Sequence, residues 1–326
     1  MKEVRWGFIG CGDVTEIKSG PAFNKISRSQ IIAVMRRDGE KAKDYAKRHN
    51  IPKWYNDASA LINDPDINAI YVATPPSTHA EYTIKSAEAG KAVYVEKPMA
   101  ASYNECLRMI DSCEKNNVPL FVAYYRRRLP QFVKVKELID SGIIGEVKFL
   151  NIALHLKPYA VDFEKDNLPW RVKPEIAGSG YFYDLASHQF DYLDFLFGVI
   201  AEASGCKNNQ AGLYDAEDVV TASWIFGNGI LGSGSWCFTA PDGHEKDQIE
   251  IIGSKGKIVF PTFNRDPINL FSDNINEKFI NDWPMHVHQP LLESVISELL
   301  GNGISPSTGK TAARTNWVMD RILKKI

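Results

Sequence analysis

The chain has 326 residues, 44% of them hydrophobic and 24% charged, with a formal net charge of −2. That length exceeds one ordinary core and predicts two domains, and the near-neutral charge supplies no basic field that would draw in nucleic acid. No apolar stretch approaches the roughly 20 residues of a membrane span, the opening MKEVRWGFIG lacks the apolar core of a leader, and the cysteines are scattered with no CxxC pair. A cytoplasmic protein with no membrane partner, no disulfide framework and no metal is expected.

The first 125 residues alternate short apolar runs with helical patterns. VRWGFIG reads as a strand, and the helix after it should begin near Asp13. QIIAVM, INAIYVATPP, KAVYVEKP and PLFVAYY read as further strands. Between them, DGEKAKDYAKRHN, STHAEYTIKSAEAG and SYNECLRMIDSCEKNN read as helices; Gly90 suits a helix C-terminus, and Ser102 with Glu105 has capping-box spacing. Such alternation predicts a parallel, doubly wound sheet. After Tyr125 the pattern changes. FLNIALHL, VVTASWIF and GILGSGSWCF alternate with period two, and QIEIIGSKGKIVF reads as two strands around a Gly-Ser-Lys-Gly turn. PLLESVISELL and AARTNWVMDRILKK are amphipathic helices. The expected fold class is therefore α/β: a Rossmann domain over residues 1–125, then an α+β domain over 126–326 with a large, mostly antiparallel open sheet, whose C-terminal helix has room to pack back near the first domain.

Gly10-Cys11-Gly12-Asp13-Val14-Thr15 follows the first strand, with Thr15 in the third-glycine position of a dinucleotide fingerprint. Gly10 permits the tight turn and Gly12 lets backbone amides approach a pyrophosphate. An acidic residue at the end of the second strand usually grips the ribose of NAD; Arg36 and Arg37 stand there instead. A guanidinium suits a 2′-phosphate, so NADP is favoured over NAD, with Asp38 retained as a ribose contact and a solvated basic loop as the plain alternative. ATPPSTHA ends a strand, where open α/β sheets bind ligands, which makes Thr74, Pro75 and His79 candidate cofactor contacts; His79 fits a structural role equally. Ser77 or Thr78 is placed to cap the helix that follows.

Glu96-Lys97-Pro98 ends another strand, which adds Glu96 to the candidate cofactor contacts; a lysine at a buried strand tip is costly unless paired or functional, with a surface lysine in a turn as the plain alternative. In the second half, Asp184 and His188 are four apart, on one face if the segment is helical. A carboxylate beside a histidine raises its basicity, as acid–base chemistry requires; a helix cap and a core histidine are the plain alternative. Trp170 can stack on a nicotinamide or sugar, and Arg171 can bind phosphate or hydroxyls or simply form a salt bridge. Tyr181 and Arg126 join them as substrate-site candidates. His286 and His288 alternate without a third metal ligand.

In this order the motifs resemble the Gfo/Idh/MocA family of nicotinamide-dependent oxidoreductases over essentially the whole chain. The resemblance rests on GxG near residue 10, ATPPxxH, EKP and Asp-x-x-x-His. It implies a Rossmann domain followed by an α/β domain with a large open sheet, homodimers or homotetramers formed through that sheet, and a cis bond before Pro98. Lys97 would be the active-site lysine, Asp184 a substrate-orienting carboxylate and His188 the proton donor or acceptor. The substrate would be a polyhydroxylated or carbonyl small molecule such as a sugar or cyclitol. WR ahead of a glycine cluster looks like the glucose–fructose oxidoreductase and dihydrodiol dehydrogenase branches, which favours NADP. Thr15 and the AGSG run depart from the family pattern. Two other functions fit the same fold: a glycosidase-type cycle on tightly held NAD, disfavoured by the arginines, and a non-catalytic nicotinamide sensor, disfavoured by the retained Lys97, Asp184 and His188.

Overall fold

Six short strands carry the N-terminal half: β1 (Val4–Ile9), β2 (Ser29–Met35), β3 (Lys53–Tyr55), β4 (Ala69–Val72), β5 (Ala92–Val95) and β6 (Leu120–Val122). They lie in the order β3-β2-β1-β4-β5-β6, and every pairing is parallel. That is the doubly wound order, and the switch between β1 and β4 opens a ligand crevice at the carboxyl ends of the strands. β1, β4 and β5 are nearly continuous apolar runs because helices cover both faces. On one face Ile70, Val72, Val93 and Val95 pack with Cys106 and Met109 of the helix Tyr103–Lys115. On the other, Trp6, Phe8, Tyr71 and Tyr94 pack with Phe23 and with Leu291, Leu292 and Val295 of the helix Gln289–Leu299. Burying each such side chain contributes about 1.5–3 kcal/mol.

The computed structural model describes every residue except 274. It divides into two units, Met1–Leu129 with Pro284–Ala313, and Pro130–Trp283 with Arg314–Ile326.

The second unit is built on β7 (Val147–His155), β8 (Ile200–Asn208), β9 (Val219–Phe226), β10 (Leu231–Cys237), β11 (Lys246–Gly253), β12 (Gly256–Phe260), β13 (Ile268–Ser272) and β14 (Ile275–Phe279). Their order is β14-β13-β12-β11-β7-β10-β9-β8. Among the described residues the β7–β10 pair is parallel and the other pairings are antiparallel. Leu150, Ile152, Leu154, Trp224 and Trp236 line the dry face. The helix Ser187–Phe197 is tied to that face: Trp236 Nε1 donates to Gln189 Oε1 at 2.7 Å, and Phe190 meets Trp224 edge-on at 5.1 Å. Gly232 is required because the Trp224 indole lies 2.2 Å from where a Cβ would stand. The other face leaves Phe149, Ile225 and Leu231 exposed around a groove of about 720 Å³ that Trp317 and Arg321 also line. No helix among the described residues is long and apolar enough to cross a membrane.

Candidate functional site

Gly10 leaves β1 at φ +90°, and a Cβ there would lie 2.8 Å from the Ala73 carbonyl oxygen. At Gly12 a Cβ would meet nothing within 4 Å. The turn therefore presents bare backbone to open space, a cradle that a pyrophosphate fits. Thr15 closes it, donating its hydroxyl to the Gly12 carbonyl at 2.8 Å. The single helix expected from Asp13 is instead a π-helical turn, Val14–Lys18, followed by a short α-helix, Gly20–Phe23. Pro21 brings no N–H. The Thr15 carbonyl accepts the Tyr45 hydroxyl at 2.8 Å and lies 2.1 Å from where a Gly20 Cβ would be, so the chain is pinned out of a regular spiral.

At the tip of β2, Arg36 and Arg37 are exposed. Arg36 Nη1 donates to the Cys11 carbonyl at 3.2 Å, which brings its guanidinium to the rim of the glycine turn. Asp38 caps the helix Gly39–Arg48, accepting from the Lys41 amide at 3.2 Å. That amide is the main reason its carboxyl is held below the usual range.

Thr74 and Pro75 stand at the tip of β4, with Thr78 donating to the Thr74 hydroxyl at 2.8 Å. Thr78 occupies the helix N-cap without a side-chain capping bond; its hydroxyl lies 3.0 Å from the Pro75 carbonyl instead. His79 is fully buried. Its Nδ1 is 3.0 Å from the Pro98 carbonyl and its Nε2 is 2.7 Å from the Thr74 carbonyl, so the ring ties two turns together and turns no nitrogen to solvent. Burial pushes its pKa down. The Lys97–Pro98 bond is cis.

Glu96 is also enclosed. It accepts the Tyr71 hydroxyl on Oε1 and the Lys97 amide on Oε2 at 3.2 Å, and His288 Nδ1 lies 3.6 Å from Oε1. Burial pushes its carboxyl pKa up. Tyr71 and His288 did not stand out as partners of EKP, because a tyrosine in an apolar strand and a histidine far along the chain give no local signal. Neighbouring His286 is structural, with Nδ1 2.6 Å from the Ile17 carbonyl and Nε2 2.7 Å from Lys25 Nζ. Arg126 is buried on the 3₁₀ turn Tyr125–Arg128, its guanidinium 5.1 Å from the Tyr125 ring centre.

In the second unit, Asp184 lies in the π-helical turn Phe182–Ala186, which runs directly into the helix that carries His188; both side chains are buried. Arg171 Nε is 3.3 Å from Asp184 Oδ2, and its guanidinium stacks 4.5 Å from the Trp170 ring centre. Arg171 thus forms an ion pair with Asp184 while its side chain stays about half exposed. Tyr181 donates to Asp162 Oδ1 at 2.7 Å and packs 5.3 Å from the Tyr159 ring. Asp162 had no sequence signal, since only the fold brings it to Tyr181. The His188 ring meets Phe263 edge-on at 5.9 Å.

A doubly wound sheet with a glycine cradle, followed by a large mixed sheet, defines a dinucleotide-dependent enzyme class. Residues 4–124 match the profile of the oxidoreductase family with an NAD-binding Rossmann fold, and 132–259 match the GFO/IDH/MocA C-terminal domain. The chain belongs to the Gfo/Idh/MocA family and is a nicotinamide-dependent oxidoreductase acting on CH–OH groups. It is 39% identical over 319 residues to "Oxidoreductase P35" of Formosa agariphila, covering 97% of each chain. It is 31% identical over 254 residues to the levoglucosan dehydrogenase of Pseudarthrobacter phenanthrenivorans, covering 71% of this chain and 65% of that one. It is 28% identical to the myo-inositol 2-dehydrogenase of Thermotoga maritima, covering 84% and 76%. The fold superposes on levoglucosan dehydrogenase in complex with NADH and levoglucosan with a TM-score of 0.89 at 24% identity, covering 99% of this chain and 96% of that one.

Proposed function

We propose that the enzyme transfers hydride between NADP(H) and a secondary alcohol or carbonyl of a sugar, cyclitol or related polyhydroxylated molecule. In this reading the N-terminal domain holds the nucleotide and the C-terminal domain the substrate. The observation that carries the NADP preference is the exposed Arg36 guanidinium at the rim of the glycine turn, with Asp38 engaged as a helix cap. Gly10, Gly12, Asp13 and Val14 would hold the pyrophosphate, Arg36 and Arg37 the 2′-phosphate, and Thr74 and Pro75 the rim of the crevice. The bound nicotinamide supplies hydride exchange at carbon. The protein supplies proton handling and orientation. A His188 ring nitrogen takes the hydroxyl proton during oxidation and returns it during reduction, while Lys97 Nζ donates to the same oxygen and stabilises its developing charge. Asp184, with Arg171 against it, orients the substrate. Relatives named for levoglucosan and myo-inositol support the substrate class.

The exposed face of the large sheet supports assembly as a homodimer or homotetramer, because burying Phe149, Ile225 and Leu231 removes apolar area from water. Thermal-shift titration with NAD(H) and NADP(H), followed by a sugar and cyclitol panel with the preferred cofactor, tests the reading. NADP(H) should give the larger rise in melting temperature. Replacing Lys97 with Met should remove turnover and leave that rise in place; unchanged turnover overturns the mechanism.

A further inference from the structure

Asp247 breaks an apolar row. On β11 it shares a face with Ile249 and Ile251, and its ladder partner on β7 is Leu154 of the dry face. A carboxylate set there is costly unless hydrogen bonds offset it. Backbone amides supply them. Oδ1 accepts from the Thr262 amide at 2.8 Å, and Oδ2 accepts from the Phe263 amide at 2.6 Å and the Asn264 amide at 2.9 Å. Three successive amides on one carboxylate form a charge-assisted clamp on the connection between β12 and β13. The same segment is tied from the helix Ser187–Phe197. Fully buried Gln189 donates through Nε2 to the Thr262 hydroxyl at 3.0 Å and accepts from Trp236 Nε1 at 2.7 Å. Gln189 follows His188, and Phe263 follows Thr262. The tied pair therefore brings its neighbours together: the Phe263 ring meets the buried imidazole edge-on, with ring centres 5.9 Å apart and an interplanar angle of 73°.

We propose that Asp247 is a positioning residue for His188: by clamping residues 262–264 it seats the Phe263 ring against the imidazole and fixes the imidazole's aim at the substrate oxygen. The proposal rests on the reading that His188 exchanges the substrate proton. A base works only within hydrogen-bond reach of the proton it takes, and a group displaced by about 1 Å loses on the order of a hundredfold in rate.

Isotope-labelled histidine rings in the full-length enzyme report the imidazole by NMR without substrate. The His188 signal, assigned by its loss in His188→Gln, should shift in both Asp247→Ala and Phe263→Ala, because the ring current of Phe263 leaves it, while the His79 signal stays put. Turnover reads the consequence. With the best substrate of the sugar and cyclitol panel, Asp247→Ala should lower kcat about tenfold or more and leave KM within about twofold. Because Asp247 acts through Phe263, adding Asp247→Ala to Phe263→Ala should cost less than about twofold further. An unmoved His188 signal in folded Asp247→Ala, or an equal loss of kcat in both backgrounds, overturns the proposal. A moved signal with unchanged kcat leaves the clamp in place and overturns the proton role of His188. If Asp247→Ala does not fold, Asp247→Asn serves: it exchanges one acceptor oxygen for a donor, so the His188 signal should move by a smaller step, and a fixed signal there overturns the proposal.

Discussion

Arg36 donates through Nη1 to the Cys11 carbonyl at 3.2 Å, joining the tip of β2 to the glycine turn after β1. The guanidinium that would read the adenosine ribose is thereby parked beside the pyrophosphate cradle. Arg36→Asp should weaken NADP(H) binding by about tenfold or more, the scale of one charge-assisted hydrogen bond, and weaken NAD(H) far less. Parallel titrations of both cofactors check this; equal losses would make the arginine a solvated strand end.

Gly10 is the position where the cradle tolerates least. Its φ of +90° and the Ala73 carbonyl 2.8 Å from a Cβ leave no room for a side chain. Gly10→Ala should cost about 1–3 kcal/mol of stability and abolish the melting-temperature rise on cofactor addition. Chemical denaturation with and without nucleotide reads both effects.

Asp194 and Arg314 form a bidentate pair with both contacts at 2.7 Å. The carboxylate is 4% exposed and the guanidinium 38%. The costs of breaking the pair should therefore be unequal. Arg314→Ala strips a buried carboxylate of this cation and should lose about 2–4 kcal/mol, below the cost for a fully buried pair because the arginine is partly solvated. Asp194→Ala leaves the cation near water and should lose less. Urea midpoints of the two variants decide the order.

Glu16 accepts from Arg48 at 2.7 and 2.8 Å and lies 2.8 Å from His49 Nε2. The Arg48 contact, chief among these, holds its pKa down at about 2. A carboxylate with a depressed folded-state pKa adds stability above its unfolded value of 4.5, and that contribution fades as pH falls toward 2. The melting-temperature gap between wild type and Glu16→Gln should be widest near neutrality and close between pH 4.5 and pH 2. A gap that stays constant across that window would show that the pair contributes nothing to the pH dependence.

Long-range pattern was legible in the chain and short-range geometry was not. The strand–helix alternation defined the parallel sheet, since apolar runs such as AIYV and AVYV suit strands covered on both faces. β3 escaped notice because Lys53-Trp54-Tyr55 is a three-residue edge strand with no apolar run. The π-helical turn at Val14–Lys18 escaped because a bond that pins it, from the Tyr45 hydroxyl to the Thr15 carbonyl, comes from outside the local spacing. PLLESVISELL declared its amphipathic face, yet only the folded chain shows Leu291, Leu292 and Val295 packed beside Trp6 and Phe8. The candidate site divides the same way. Lys97, Asp184 and His188 were visible as residue types in telling places, whereas Tyr71, His288 and Asp162 became visible only as neighbours.

His79 joins the turns after β4 and β5 through the carbonyls of Thr74 and Pro98. One imidazole therefore acts as a rivet through two plates. The tip of β2, where Arg36 and Arg37 sit, lies outside that fastening. In the proposed reading, nucleotide choice at residues 36 to 38 and catalytic alignment beside Lys97 are thus separable traits, because the riveted turns do not extend to the tip of β2.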